Sequence, residues 1–369
     1  MDQTYLWSTS ACRLEKKVAF VSTGIEFGLD TFGDVTVDAQ GNDVSPAQVL
    51  RNVVAEAVLA DEVGLNFFGI GEHHRDDFAV SSPEVLLGAI AAQTTNIRLG
   101  SAVTVLSSDD PIRVFQKFST VDALSHGRAE VIVGRGSFTE SFPLFGFDLQ
   151  DYETLFEEKL DLFTHLIKNI PVTWEGSIRP ALADQAVYPP LENGTLKTWI
   201  GVGGSPQSVI RAAHYGLPLM LAIIGGDPLR FKPYVDLYHQ ALEQYGHDVL
   251  PIGQHSPGFI GVNDDDAKNE VFPHYQKMHE RIGRTRGWPP LTRAQFDAEA
   301  GPEGALFVGS VETVATKLAR TIHGLGIQRF DLKYSLGTLP HESLMSSIRL
   351  YGEQVVPRVH ELLAELEGR

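Results

Sequence analysis

The chain has 369 residues, 43% of them apolar, and 30 basic against 47 acidic side chains give a formal charge of −17. That length suits one large barrel or two ordinary domains, and the acidic excess argues against nucleic acid as a partner, because such a footprint is basic. Cys12 is the only cysteine, so neither an intrachain disulfide nor a thiolate zinc site is expected.

No apolar run reaches the ~18 residues that a membrane-spanning helix needs, so no membrane partner is expected. Met1-Asp2-Gln3 opens without a basic and then apolar leader, and a cytoplasmic location is the expectation.

One unit recurs along the chain: a capping residue followed by proline, an amphipathic helix, a glycine, then a short apolar strand. The cap-proline pairs are Ser45-Pro46, Ser82-Pro83, Asp110-Pro111, Ser205-Pro206 and Asp227-Pro228. The Ser or Asp oxygen accepts from orphan helix N–H groups, and proline at the first position gives up an amide that was unpaired anyway. Gln48, three residues after Ser45, predicts a capping box. Gly64, Gly127, Gly216 and Gly326 stand where helices should close in a left-handed turn.

The strands read from this pattern are Val18–Val21, Asn66–Ile70, Ile97–Val105, Ala129–Val133, Trp199–Val202, Leu217–Ile224, Gly258–Val262 and Phe330–Tyr334. Eight buried strands alternating with helices predict an α/β fold, a (β/α)8 TIM barrel, as one domain over residues 1–369. A doubly wound sheet competes, but no G-x-G-x-x-G follows the first strand, and Gly201-Val202-Gly203-Gly204-Ser205-Pro206 lacks the last glycine of that pattern. Residues 171–197, with four prolines, and residues 264–307, with an acidic and a basic run, read as insertions. A long insertion at a barrel loop is either an active-site lid or a disordered segment.

In a barrel, function sits where strands end. The second strand runs into Glu72-His73-His74-Arg75-Asp76-Asp77, either a solvated loop or an acid–base site built on His73. No metal is expected, because adjacent histidines point apart and a metal needs three or four converging ligands. The third strand is small at its centre, Gly100-Ser101-Ala102-Val103, which suits either barrel packing or the close approach of a flat ligand. Arg135, between Gly134 and Gly136, is either a surface turn residue or an anion partner. Gly203-Gly204-Ser205, with Ser208 in the next turn, is either a plain cap or an anion cradle at a helix N-terminus.

Taken in order, Glu72-His73-His74, Leu99-Gly100-Ser101-Ala102-Val103, Asp110-Pro111-Ile112-Arg113, Leu124-Ser125-His126-Gly127-Arg128, Gly134-Arg135-Gly136 and Ala212-Ala213-His214-Tyr215-Gly216-Leu217-Pro218 resemble the bacterial luciferase family over about residues 18–359. These are flavin-dependent monooxygenases built on a (β/α)8 barrel. The resemblance implies reduced FMN as cofactor, supplied by a separate flavin reductase, with O2 and a small organic molecule as co-substrates, and a homodimer. It implies a non-proline cis peptide at Ala102-Val103 beneath the flavin. Arg135, flanked by Gly136, would contact the flavin or its phosphate; Gly203, Gly204, Ser205 and Ser208 would hold the phosphate; and His73 would be catalytic together with Arg135.

The resemblance extends to coenzyme F420-dependent dehydrogenases, which transfer hydride, and to non-catalytic flavin-binding relatives. Three positions depart from the luciferase. Gly134 replaces its reactive cysteine, Gly204 replaces an acidic residue of the phosphate turn, and Arg75 replaces an aromatic residue. Light emission is therefore not implied.

Overall fold

The computed structural model describes residues 24–168 and 171–368. Eight parallel strands form a closed barrel: β1 Glu26–Thr31, β2 Phe67–Ile70, β3 Arg98–Ser101, β4 Ala129–Gly134, β5 Lys197–Val202, β6 Leu219–Ala222, β7 Ile252–Ile260 and β8 Arg329–Lys333. Each strand pairs with the next, and β8 returns to β1 with Gly28 opposite Asp331. The barrel expected from the sequence is therefore the fold. No helix among the described residues is long and apolar enough to cross a membrane.

Two strands differ from the sequence reading. Val18–Val21 lies outside the described residues, and the first barrel strand is Glu26–Thr31. There Phe27 and Leu29 alternate with Gly28 and Asp30, so no continuous apolar run marks it. The seventh strand starts at Ile252 rather than Gly258, because the polar residues Gln254, His255 and Ser256 belong to it. The third strand breaks after Ser101 at a cis Ala102-Val103 peptide, and Thr104–Val105 resumes pairing against β4.

Alternating side chains sort into two cores, as the period of two requires. Phe68, Leu99, Val131, Val133 and Leu221 join the core under the helical ring, whereas Phe67, Ala102, Ile132, Trp199 and Met220 form a second core inside the barrel. Beneath that second core lies a charged plug. Buried Arg329 donates to Glu130 at 2.6 Å and to Asp331 at 2.9 Å, with its guanidinium 3.6 Å over the Phe67 ring. Glu130 also takes a hydrogen bond from Arg98, an ion pair from Lys197 and the Trp199 indole N–H.

The local signals act largely as expected. Ser45, Asp110, Ser205 and Asp227 accept backbone N–H groups of the turns they begin, although Ser82 makes no such bond. At Ser45 the expected capping box gives way, as the Gln48 side chain engages Arg51 and Asn52. The four closing glycines all have positive φ. The first insertion holds an antiparallel hairpin, Val172–Trp174 with Leu182–Gln185. The second is ordered: helix Asp264–Arg286, helix Arg293–Glu299, and a short strand, Phe307–Gly309, paired to the end of β7.

Candidate active site

The carboxyl ends of the strands surround a cavity of about 1000 Å³. On one side, the ends of β2 to β6 present mostly small residues: Gly71, Ala102, Gly134, Gly201 and Ala222. Val103 is seated between its neighbours' glycines. A Cβ on Gly134 would come within 2.8 Å of Val103, and one on Gly201 within 3.0 Å. Side chains at those two positions would push Val103 upward and destroy a flat apolar shelf. The glycines are there for close approach.

Next to the shelf, at the ends of β4 and β5, the cavity becomes cationic. Arg135 Nη2 donates to Ser208 Oγ at 3.2 Å, and Ser205 Oγ donates to Ser208 Oγ at 2.8 Å. Both serines belong to the first turn of helix Pro206–His214, whose free N–H groups add positive potential. Arg211 reaches the same corner. Glu153 pairs with both arginines, and Glu157 pairs with Arg211. The Arg135 guanidinium lies 5.4 Å from the centre of the Tyr152 ring, whose hydroxyl donates to the Gly136 carbonyl at 2.7 Å. The Arg135 guanidinium, the Ser208 hydroxyl and a helix start, backed by Ser205 and Arg211 through Ser208, fit the dianion of a phosphate monoester.

His73 stands at the end of β2. Its Nδ1 donates to Glu140 Oε1 at 3.0 Å, and its ring is enclosed by Phe32, Phe78 and Phe138, with centroids 4.9, 4.5 and 4.7 Å away. Burial disfavours the Glu140 carboxylate, but hydrogen bonds from His73 and from backbone amides outweigh it and hold the carboxyl below its ordinary value. With Nδ1 committed, Nε2 is the nitrogen available for proton transfer.

The second insertion lies across the mouth. Its long helix is fastened by Arg281 to Asp76 and Asp77, by Arg286 to the Ser137 carbonyl at 3.0 Å, and by His274 to Thr338 at 2.8 Å. The insertion contributes Tyr275, Met278 and Ile282 from that helix, and Trp288 and Phe296 beyond it, to the cavity wall. Arg75, bonded to Asp77 through two hydrogen bonds, belongs to this fastening rather than to a substrate pocket.

Of the residues expected from sequence, His73, Ala102, Val103, Arg135, Gly136, Gly203 and Ser208 line this one cavity. Gly204 and Ser205 do not line it: Ser205 acts through Ser208, and Gly204 backs onto Phe231 with a φ of +103°. Sequence reasoning missed Glu140 and the ionisable wall opposite the shelf, Asp30, His255, Asp331 and Lys333. A signal existed in β8, where Arg329, Asp331 and Lys333 recur at the strand period and so share one face.

Comparison with known proteins gives the chain's family and supports its fold. The family model for luciferase-like monooxygenases matches residues 31–329. The chain is 23% identical to the protein y4vJ of Sinorhizobium fredii over 89% of this chain and 97% of that one. It is 25% identical to the alkanal monooxygenase alpha chain of Photorhabdus laumondii over 64% of this chain, spanning 66% of that relative. With the N-acetyl-S-alkylcysteine monooxygenase of Bacillus subtilis it shares 33% over 51% of this chain and 55% of the other.

Among solved structures, monooxygenase RslO1 of Streptomyces bottropensis superposes with a TM-score of 0.78 at 20% identity, over 90% of this chain and 99% of that one. The oxygenating constituent of the 3,6-diketocamphane monooxygenase of Pseudomonas putida, solved with FMN, gives 0.71 at 18%, over 91% and 99%. An F420-dependent secondary alcohol dehydrogenase, in complex with an F420–acetone adduct, gives 0.71 at 17%, also over 91% and 99%.

Proposed function

Because this chain belongs to the luciferase-like monooxygenase family, we propose that its cavity binds reduced FMN and that the protein is a flavin-dependent monooxygenase of a small organic substrate. The observation that carries this reading is the corner where Arg135, Ser208 and Ser205 converge on a helix start beside the bare Ala102-Val103 shelf. A phosphate-bearing, flat cofactor matches both features at once. Bound reduced FMN would supply the electrons that activate O2 for transfer of an oxygen atom to the substrate. A separate reductase would deliver it, since no nicotinamide fingerprint follows the first strand.

The protein's own contributions are positional and electrostatic. Arg135 and the serines anchor the phosphate, so the ring has one orientation over the shelf. Val103, held level by Gly134 and Gly201, sets the plane of that ring. His73, fixed by Glu140, holds or moves a proton at Nε2. Helix Asp264–Arg286 excludes water from the mouth, which strengthens every charge interaction beneath it.

An anaerobic titration followed by tryptophan fluorescence tests the reading, with Trp288 in the cavity wall as reporter. Reduced FMN should bind at micromolar concentration or below, with reduced coenzyme F420 much weaker. The reverse preference would make this a hydride-transfer enzyme. Binding of neither would remove the phosphate site.

A further inference from the structure

Opposite the shelf, the cavity wall is made by β7, β8 and β1. Asp30, on β1, is fully buried. One of its oxygens accepts from His255 Nδ1 at 2.6 Å, and the other has no hydrogen-bond partner among the described residues. A buried carboxylate with an unpaired oxygen is costly and calls for an explanation. His255 lies on β7, so the pair reaches across the intervening strand β8. The imidazole is 16% exposed and faces the cavity, and no hydrogen bond occupies its Nε2 among the described residues.

Phe32 separates this imidazole from the other one. Its ring stacks on His255, with centroids 6.3 Å apart and planes 22° apart, and meets His73 edge-on at 4.9 Å. Phe32 thus has an imidazole–carboxylate pair on each side, and a third pair, His74 with Glu72 at 3.5 Å, lines the same cavity. Only the His73 side is taken up by the proposed chemistry of the cofactor. A volume of about 1000 Å³ is at the upper end of the roughly 300–1,000 Å³ usual for ligand cavities, which leaves room for a second molecule. Its walls on this side and under the insertion are ring-rich: Phe32, Tyr275, Trp288 and Phe296.

We propose that His255, positioned by Asp30, is the acid–base residue for the organic substrate, and that this substrate is a flat, apolar molecule bearing an acidic hydroxyl, a phenol or an enol. The proposal rests on the cofactor reading above for its division of labour between the two histidines. In the step assigned to His255, the substrate O–H bond breaks, an N–H bond forms at Nε2, and the electron pair stays on the substrate oxygen. The resulting imidazolium is held by Asp30, in the base-and-orienter arrangement that activates hydroxyl groups elsewhere. Burial disfavours a charged His255, but Asp30 and then Asp331 raise it above ordinary histidine, with Lys333 opposing them. Those are the charged groups facing it from β1 and β8; Lys333 is itself paired with Asp34, and Met220 and Ala222 of β6 bring no charge.

The test uses 4-nitrophenol, whose absorption reports whether it is bound as phenol or phenolate. Bound to the full-length protein without cofactor, it should ionise at a lower pH than in water, because a protonated His255 stabilises the phenolate. In His255→Gln the phenolate-to-phenol ratio of bound probe at fixed pH should fall at least tenfold, and in Asp30→Asn by a smaller factor. The affinity of His255→Gln for reduced FMN should match that of the wild type. If His255→Gln does not fold, Asp30→Asn carries the same comparison. An unchanged ratio in the folded variants, or no binding of the probe to the wild type, would overturn the proposal. A lowered probe ionisation that depends on His255, in a protein that fails to bind FMN, would support His255 while overturning the cofactor reading.

Discussion

Across the barrel mouth, the ends of β2 to β6 offer mostly small residues, Gly71, Ala102, Gly134, Gly201 and Ala222, whereas β7, β8 and β1 offer His255, Asp331, Lys333 and Asp30. The first side works through what it lacks, since a ring can rest on backbone only where side chains are absent. The second presents buried ionisable groups, each paired: Asp30 with His255, Asp331 with Arg329, Lys333 with Asp34. Glycine therefore gives flatness on one side, and the proton chemistry proposed for the other draws on paired ionisable groups.

The sharpest way to break this contrast is at the plug beneath the ionisable side. Arg329→Met leaves Glu130 and Asp331 buried without their main counter-charge, and a loss of about 3–5 kcal/mol in unfolding free energy is expected at neutral pH. Burial opposes ionisation of Glu130, but Arg329, Lys197 and Arg98 hold its carboxyl well below the ordinary value. A depressed carboxylate contributes stability that is full above its unfolded value and disappears as pH falls through the folded one. The gap between wild type and Arg329→Met should thus narrow in acid. Denaturant melts at pH 7 and near pH 3 would show it.

On the shelf side, Gly134→Ala places a methyl group against Val103. We expect about 1–3 kcal/mol of lost stability or flavin affinity from the overpacking, measured by thermal melts and flavin titration. A silent substitution would mean the shelf has slack. Glu153→Gln removes a half-exposed competitor for Arg135 and Arg211. Flavin phosphate affinity should then rise by roughly two- to fivefold, the scale of an exposed ion pair. The smallest effect is expected at the fastening of the insertion. Arg281→Ala frees it from Asp76 and Asp77, which should speed proteolysis within residues 264–307 and leave the melting temperature unchanged.

The same contrast explains what could be read in advance. The small-residue strand ends and the Ser205 helix start are legible in the sequence because glycine, serine and proline act locally: Ser205 caps its own helix, and Ala102-Val103 follows Gly100-Ser101. The ionisable wall is not, because its partners lie far apart in the chain. Asp30 meets His255 225 residues away, and Arg329 meets Glu130 across 199. Polar residues inside β1 and β7 also interrupt the apolar runs, so apolar patterning alone places the first strand at Val18–Val21 and the seventh at Gly258–Val262. Glu140, 67 residues from His73, gave no local signal at all.

The most direct measurement compares FMN with riboflavin, which lacks the phosphate, on the wild type and on Arg135→Ala. Charge-assisted hydrogen bonds of about 1.5–3 kcal/mol predict that the variant binds FMN roughly 10- to 100-fold more weakly and riboflavin as the wild type does. Equal losses for both ligands, or no loss for either, would contradict a phosphate site at Arg135, Ser205 and Ser208.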